Sequence, residues 1–346
     1  MPALPRLINA SGQPCYGLFP DGIEEINYLD FDLRTVMDKP RSRLAKRFGA
    51  NQFQFISLLS PELIVGVAIV DLKWASNAFV YLYDPRTRRF DEFSFLQPLA
   101  RNTYIDPRPG DGAALFAKGT NRISVDAGSE PGVRHLRVEL SGGTRIDARI
   151  NEAPGQQPLS VCTRAGYAGW VFTRKTAARC CTGSVSWHGQ QFDLRQIGAL
   201  AAVDWTAGFM RRETFWNWGS LSCRLPDGRR LGFNLAAGVN ETGFTENGLW
   251  LDDQLIKVDM VDFQFDRAEP LAPWRLRSAD GQVDLRFEPE GTRQEKLNAL
   301  FLASNFKQHF GQYSGELRLP GETLRLDGAW GWWRIITRAG ELLRLY

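Results

Sequence analysis

The dominant pattern along the chain is apolar–polar alternation of period two, cut into short runs by Gly, Pro and Asp turns. Successive side chains of an extended strand point to opposite faces, so this alternation spells strands with one buried face. From His135 to Ile150, Leu136, Val138 and Leu140 alternate, Ser141-Gly142-Gly143 turns, and Ile146, Ala148 and Ile150 alternate again. The scheme returns around Ala279-Asp280-Gly281, with Trp274 and Leu276 before the turn and Val283, Leu285 and Phe287 after it. It returns once more around Pro320-Gly321, between Leu317 and Leu319 on one side and Leu324 and Leu326 on the other. Many short strands with close turns predict an all-β chain of antiparallel meanders, a sandwich or barrels, and not a parallel sheet. Helical periodicity is scarce. Pro40 to Phe48 and Gln294 to Phe301 carry it, each enough for a short helix.

One hairpin can be read for its faces. Its turn is Pro226-Asp227-Gly228. A two-residue loop would set Leu221 opposite Asn234 and Ser222 opposite Phe233, mixing polar and apolar residues on both faces. A three-residue loop, with Gly228 left-handed, sets Leu221 opposite Phe233 and Cys223 opposite Leu231. It also sets Ser222 opposite Gly232, Ser220 opposite Asn234 and Trp218 opposite Ala236. One face then becomes uniformly apolar and the other small, polar and aromatic. The apolar face is the one to bury. The second, with Trp216, Trp218, Ser220, Ser222 and Asn234, is either a pocket wall or a solvent-facing sheet with half-buried tryptophans; two Trp at i and i+2 are costly to leave wet.

Length and charge narrow the rest. A chain of 346 residues exceeds what one core usually serves, which predicts two domains. The Pro-, Gly- and polar-rich run NEAPGQQPLS at 151–160 is the best linker, placing the domains at 1–160 and 161–346. A net charge of +3, small beside 42 basic and 39 acidic side chains, gives no case for nucleic acid or an anionic membrane as partner. The most apolar segment, Leu63 to Val70, is far short of the about 20 residues that span a bilayer, so no integral membrane association is expected. The opening MPALPRLINA lacks a basic region followed by a long apolar run, and a cytoplasmic protein is expected. Five cysteines, two of them the neighbours Cys180 and Cys181, and three scattered histidines argue against a disulfide framework or a metal site. No cofactor is expected.

The sequence has no nucleophile elbow, P-loop, dinucleotide fingerprint or His-based triad in a useful context. What remains is carboxylates among aromatics. Asp204 precedes Trp205, and Glu246 opens Glu246-Asn247-Gly248 after the Asn234 strand. A carboxylate in an apolar pocket has its charged form desolvated and its pKa raised, which suits protonating an alkene or removing a proton near neutral pH. That chemistry would be a cofactor-independent hydratase, lyase or isomerase. The plainer readings are a turn or cap residue for Asp204, paired with Arg211 or Arg212, and a polar turn for Glu246. Trp74, Lys175, Arg212 and Trp274 join Trp216, Trp218, Ser220 and Asn234 as candidate ligand-binding residues.

Several segments carry a resemblance. They are Phe172-Thr173-Arg174-Lys175, Asp204-Trp205-Thr206-Ala207-Gly208 and Arg212-Glu213-Thr214-Phe215-Trp216-Asn217-Trp218, then Gly232-Phe233-Asn234-Leu235, Glu246-Asn247-Gly248-Leu249 and Pro273-Trp274. The stretch from Trp170 to Phe287 resembles a bacterial family of unknown function related to carotenoid hydratase and AttH-like proteins. The resemblance implies two packed lipocalin-like (calycin) barrels and a hydrophobic, lipid- or isoprenoid-like ligand. A non-catalytic carrier or sensor of such a ligand is the alternative, and a carbohydrate-binding or carbohydrate-active sandwich a third, since exposed Trp also stacks on sugars. The C-terminus departs from the resemblance. Family chains tend to close with Glu-Asp-His-Tyr-Ala after a Gly-Trp-like run; here Gly331-Trp332-Trp333 is followed by Arg334-Ile335-Ile336-Thr337-Arg338. Codons for the family ending, read one base later, spell the residues present here, so the tail from Arg334 is expected to be out of frame.

Overall fold

The computed structural model describes residues 4–152, 155–211, 213–238, 244–299 and 302–339. Nearly all regular structure is antiparallel strand. Among the described residues the exceptions are a small parallel pair, Leu4–Arg6 with Ile23–Glu25, a 3-10 turn at Tyr28–Asp30 and one short α-helix, Arg43–Gly49, which begins where Ser42 accepts a hydrogen bond from Ala45 N. The helix answers the first helical stretch. The second, Gln294 to Phe301, is instead part of the strand Val283–Ala299 as far as it is described. Its residues extend a ladder in which Gln294 opposes Lys307 and Ala299 opposes Leu302, and ladder pairing outweighs a weak local helical preference.

Two compact units divide after Phe209, as Met1–Phe209 and Met210–Tyr346, rather than after 160. Strand pairing explains the shift. Leu159–Arg164 and Trp170–Trp187 pair with each other, and Trp170–Trp187 then pairs with both Arg145–Asn151 and Leu200–Gly208. A cut at 160 would sever a continuous ladder.

The first unit is a 14-stranded sheet that curls on itself. The long strand Trp170–Trp187 makes the bend. Its register shifts between Thr176 and Arg179, and Ala178 there takes a positive φ of 54°. A bulge adds local twist and re-aims the strand. Side chains tie the curled sheet together: Gln52 Nε2 donates to Ile105 O at 3.1 Å, and Ser76 and Thr103 hydroxyls lie 2.6 Å apart. The interior is filled by Trp170, Phe172, Trp205, Phe116, Ile56, Val67 and their neighbours. Beneath it, Arg134 is 1% exposed and pairs with Glu152 at 2.9 Å, while Arg174 adds a second contact at 3.4 Å. Burial would raise the Glu152 pKa, but the two guanidiniums outweigh it and hold the carboxyl down at about 2.

The second unit is a nine-stranded antiparallel sheet, also wrapped around its own core of Leu221, Phe233, Trp274, Phe287, Tyr313 and Trp333. Its first hairpin has the three-residue-loop register read from the sequence, Leu221 opposite Phe233, Cys223 opposite Leu231 and Trp218 opposite Ala236. Gly228 takes a φ of +89°, the left-handed value the turn requires. All five cysteines are free thiols. Among the described residues no helix is long and apolar enough to cross a membrane.

Candidate functional site

Each sheet has a second face, and most of the candidate residues lie on these faces, not in the cores. In the second unit, strand alternation sends Leu221 inward and Trp218, Ser220 and Ser222 to the other side. Residues directly opposite one another share a face. Asn234 faces Ser220, Trp332 faces Ser220 from the other flank, and Arg334 faces Trp218. This face is buried as deeply as the core: Trp332 is 0%, Ser220 2%, Asn234 4% and Trp218 6% exposed.

Its polar groups are arranged around the rings. Trp218 Nε1 donates to Asn234 Oδ1 at 2.6 Å, and Asn234 Nδ2 donates to Glu246 O at 2.6 Å. Asn234 thus uses both ends of its amide to lock the indole to the following segment. The Trp218 and Trp332 rings stack with centroids 6.3 Å apart and planes 27° apart. Arg334 lies 4.7 Å over Trp218 and 5.0 Å over Phe306, and Arg293 lies 4.5 Å over the same Phe306 ring. Arg334 also donates to Gln308 Oε1 at 3.1 Å. Trp216 is half-buried at the end of this face.

Glu246 enters through its main chain. Its segment is clamped by Lys257, whose Nζ donates to Thr245 O at 2.7 Å and to Asn247 O at 2.6 Å. Burial pushes the Lys257 ammonium down to about 8 against the pull of the Glu246 and Asp259 carboxylates. Asn247, fully buried, accepts from Ala236 N at 2.6 Å and donates to Asp259 O at 2.9 Å. The Glu246-Asn247-Gly248 stretch is therefore a built joint and more than a polar turn.

In the first unit, the second face is carried by Phe55, Ala68, Phe79 and Tyr81 on one side of Asp204 and by Thr173 and Lys175 on the other. Tyr81 is fully buried and its ring lies over Gly66, where an added Cβ would stand 2.0 Å from the ring. Asp204 finds its partner directly across the ladder: Lys175 Nζ donates to Asp204 Oδ2 at 2.7 Å. The Thr206 hydroxyl donates to Asp204 Oδ1 at 3.0 Å, and the Thr173 hydroxyl lies 3.3 Å from the same oxygen. The ion pair is enclosed, with side chains 6% and 14% exposed. Arg211 and Arg212 were the sequence's choice of partner. Lys175 takes that place, and Arg212 lies outside the described residues.

Two candidates fall elsewhere. Trp274 faces the core, with its ring 4.2 Å from Trp333, 4.4 Å from Phe265 and 5.3 Å from His309, and its Nε1 donates to Pro270 O. Its ring packs there by the parity that aligns it with Phe287, and the residue also borders a surface hollow. Trp74 is 55% exposed at a turn, and its ring meets that of Phe48 at 4.4 Å with the planes tilted by 39°. The surface hollow, of about 450 Å³, is lined by Pro273, Trp274 and Leu285 together with Arg275, Asp284, Arg286 and Glu316, a mixed apolar and charged lining that shares no residue with the Trp218 face. Trp332, Arg334, Arg293 and Gln308 were missed from sequence, because their membership depends on the register between distant strands.

The family comparison decides the relationship. Residues 6–334 match a family described as a domain of unknown function, DUF2804. The chain belongs to that family. A search of curated proteins returns no match for this DUF2804 chain. Among solved structures, CghA covers 98% of this chain and 98% of its own at 10% identity, with a TM-score of 0.57, which shows a shared fold. Kievitone hydratase from Nectria haematococca matches at 11% identity over 82% of this chain and 88% of its own, with a TM-score of 0.47. The putative AttH protein of Nitrosomonas europaea matches at 12% identity over 82% and 91%, with a TM-score of 0.48.

Proposed function

We propose that this DUF2804 protein binds a hydrophobic, lipid- or isoprenoid-like small molecule, with the Trp218–Trp332 face as its wall. The observation that supports this most is the pairing of two stacked indoles with small neighbours, Ser220, Ser222 and Gly232, on a buried face outside the core. Flat apolar rings with a few fixed polar groups are what a small-molecule site needs. The interiors of the curled sheets are filled by their own side chains, which moves the proposed wall away from a barrel cavity.

Asp204 supports a chemical role of one kind. Lys175 and Thr206 donate to it and the Thr173 hydroxyl lies within reach, so the carboxylate is arranged as an acceptor. Such a group can take a proton from water as the water oxygen adds to one carbon of a double bond, with the proton then passed to the other carbon from Asp204 itself or from the Lys175 ammonium. The same donors favour the second reading, a carrier in which Asp204–Lys175 is structural.

Native mass spectrometry of the protein purified from its host tests the binding itself. An apolar molecule should travel with the wild type and be lost in Trp218→Ala. Ligand-free wild-type protein from lipid-replete cells would overturn the reading. With the ligand in hand, Asp204→Asn separates the two branches: an enzyme loses turnover and keeps binding, a carrier keeps both the bound molecule and its chemical form.

A further inference from the structure

Near the start of the first unit, large apolar side chains stand in water. Thr35 N bonds Lys39 O at 2.9 Å and Asp38 N bonds Thr35 O at 3.0 Å, closing a tight turn whose tip is Val36-Met37. These two side chains are 81% and 77% exposed. The helix Arg43–Gly49 follows, and on it Leu44 and Phe48, four apart, share a face. Leu44 is 66% exposed, and the Phe48 ring meets the exposed Trp74 ring. Leu99, 58% exposed, bonds through its N–H to Trp74 O at 2.6 Å. Leu44, Phe48, Trp74 and Leu99 form one ridge, continued in the chain by the Val36-Met37 tip. A contiguous exposed apolar ridge marks an interaction surface.

The charge around the ridge says what it meets. Between Leu33 and Gly49 the chain carries Arg34, Lys39, Arg41, Arg43, Lys46 and Arg47 against one acid, Asp38. Arg34 is paired with Asp32 at 2.7 Å. Lys39, Arg41, Arg43 and Arg47 are exposed, with no ion pair among the described residues. Apolar side chains projecting from a cationic rim match the boundary between acyl chains and anionic headgroups. A nucleic acid would leave the ridge in water.

We propose that this ridge seats the first unit on an anionic phospholipid surface, with Val36, Met37, Leu44 and Trp74 at the acyl boundary and the basic rim at the headgroups. This stands apart from the ligand reading, since it uses neither the Trp218 face nor Asp204.

Co-sedimentation of the full chain tests it, with vesicles of phosphatidylcholine alone and of phosphatidylcholine mixed with phosphatidylglycerol. Binding is expected to the mixed vesicles only and to weaken as salt rises. Arg41→Gln and Arg43→Gln should each lower affinity roughly fivefold. Val36→Asp with Met37→Asp should abolish binding while the thermal midpoint stays put, because both side chains stand in solvent. The proposal is overturned by equal binding to phosphatidylcholine alone, by no binding to either, or by variants that bind like the wild type. Lipid-free dimerisation that the same double substitution abolishes would also overturn it, by giving the ridge to a second copy.

Discussion

His309 is a buried base with no reacting partner. It is fully buried, its Nδ1 lies 2.8 Å from Thr292 Oγ1, and its ring packs 5.3 Å from Trp274. Burial, helped by the charge of Lys307, pushes its pKa from 6.5 down to about 4. The unfolded chain takes up the proton first as pH falls. Stability should therefore drop between pH 6.5 and 4 and level off below, by roughly 3 kcal/mol from this one group. Denaturant unfolding at pH 7, 5.5 and 4 checks it: His309→Gln should lose less stability over that range than the wild type. Parallel profiles would contradict the assignment. At this scale the sequence exposed what lay close along the chain. Ser220, Asn234 and Trp218 followed from one turn residue, Gly228, and the alternation around it. The Asp204–Lys175 pair did not, because 29 residues and a non-local register separate the partners.

At the scale of elements, hairpins were legible and long-range pairings were not. The strand Glu322–Ala339 shows why. It joins Glu213–Arg224 to Leu302–Leu319 and brings Trp332 and Arg334 onto the Trp218 face. No local pattern announces that meeting. The strand also bears on the tail. The family match stops at residue 334, where the sequence departs from the family-like ending. In the structure Arg334 and Arg293 lie over one ring, Phe306, two like charges in a buried place. An acidic residue at 334 would stand on the same face as Arg293 with opposite charge. We propose that the frame has slipped by one base there. Resequencing the 3′ end of the gene should show the family-like ending in frame. A clean reading of Arg334-Ile335-Ile336, shared by intact relatives, would sink it.

For the whole molecule, alternation alone predicted the all-β architecture, and the structure has it as two large antiparallel sheets, each curled around its own core, beside one two-stranded parallel pair. The compact units divide elsewhere than the polar, Pro-rich run at 151–160, because strand pairing decides which unit a segment joins. A net charge of +3 conceals six basic residues beside the apolar ridge at 34–48, since charge averaged over a chain says nothing of its local placement. In the proposed function the ligand lies against the second face of the C-terminal sheet. A crystal structure of the protein with its co-purified molecule tests this most directly. Ligand density is expected in contact with Trp218 and Trp332, beside Asn234. Density inside either filled core, or in the hollow lined by Trp274, Arg275 and Asp284, would overturn it.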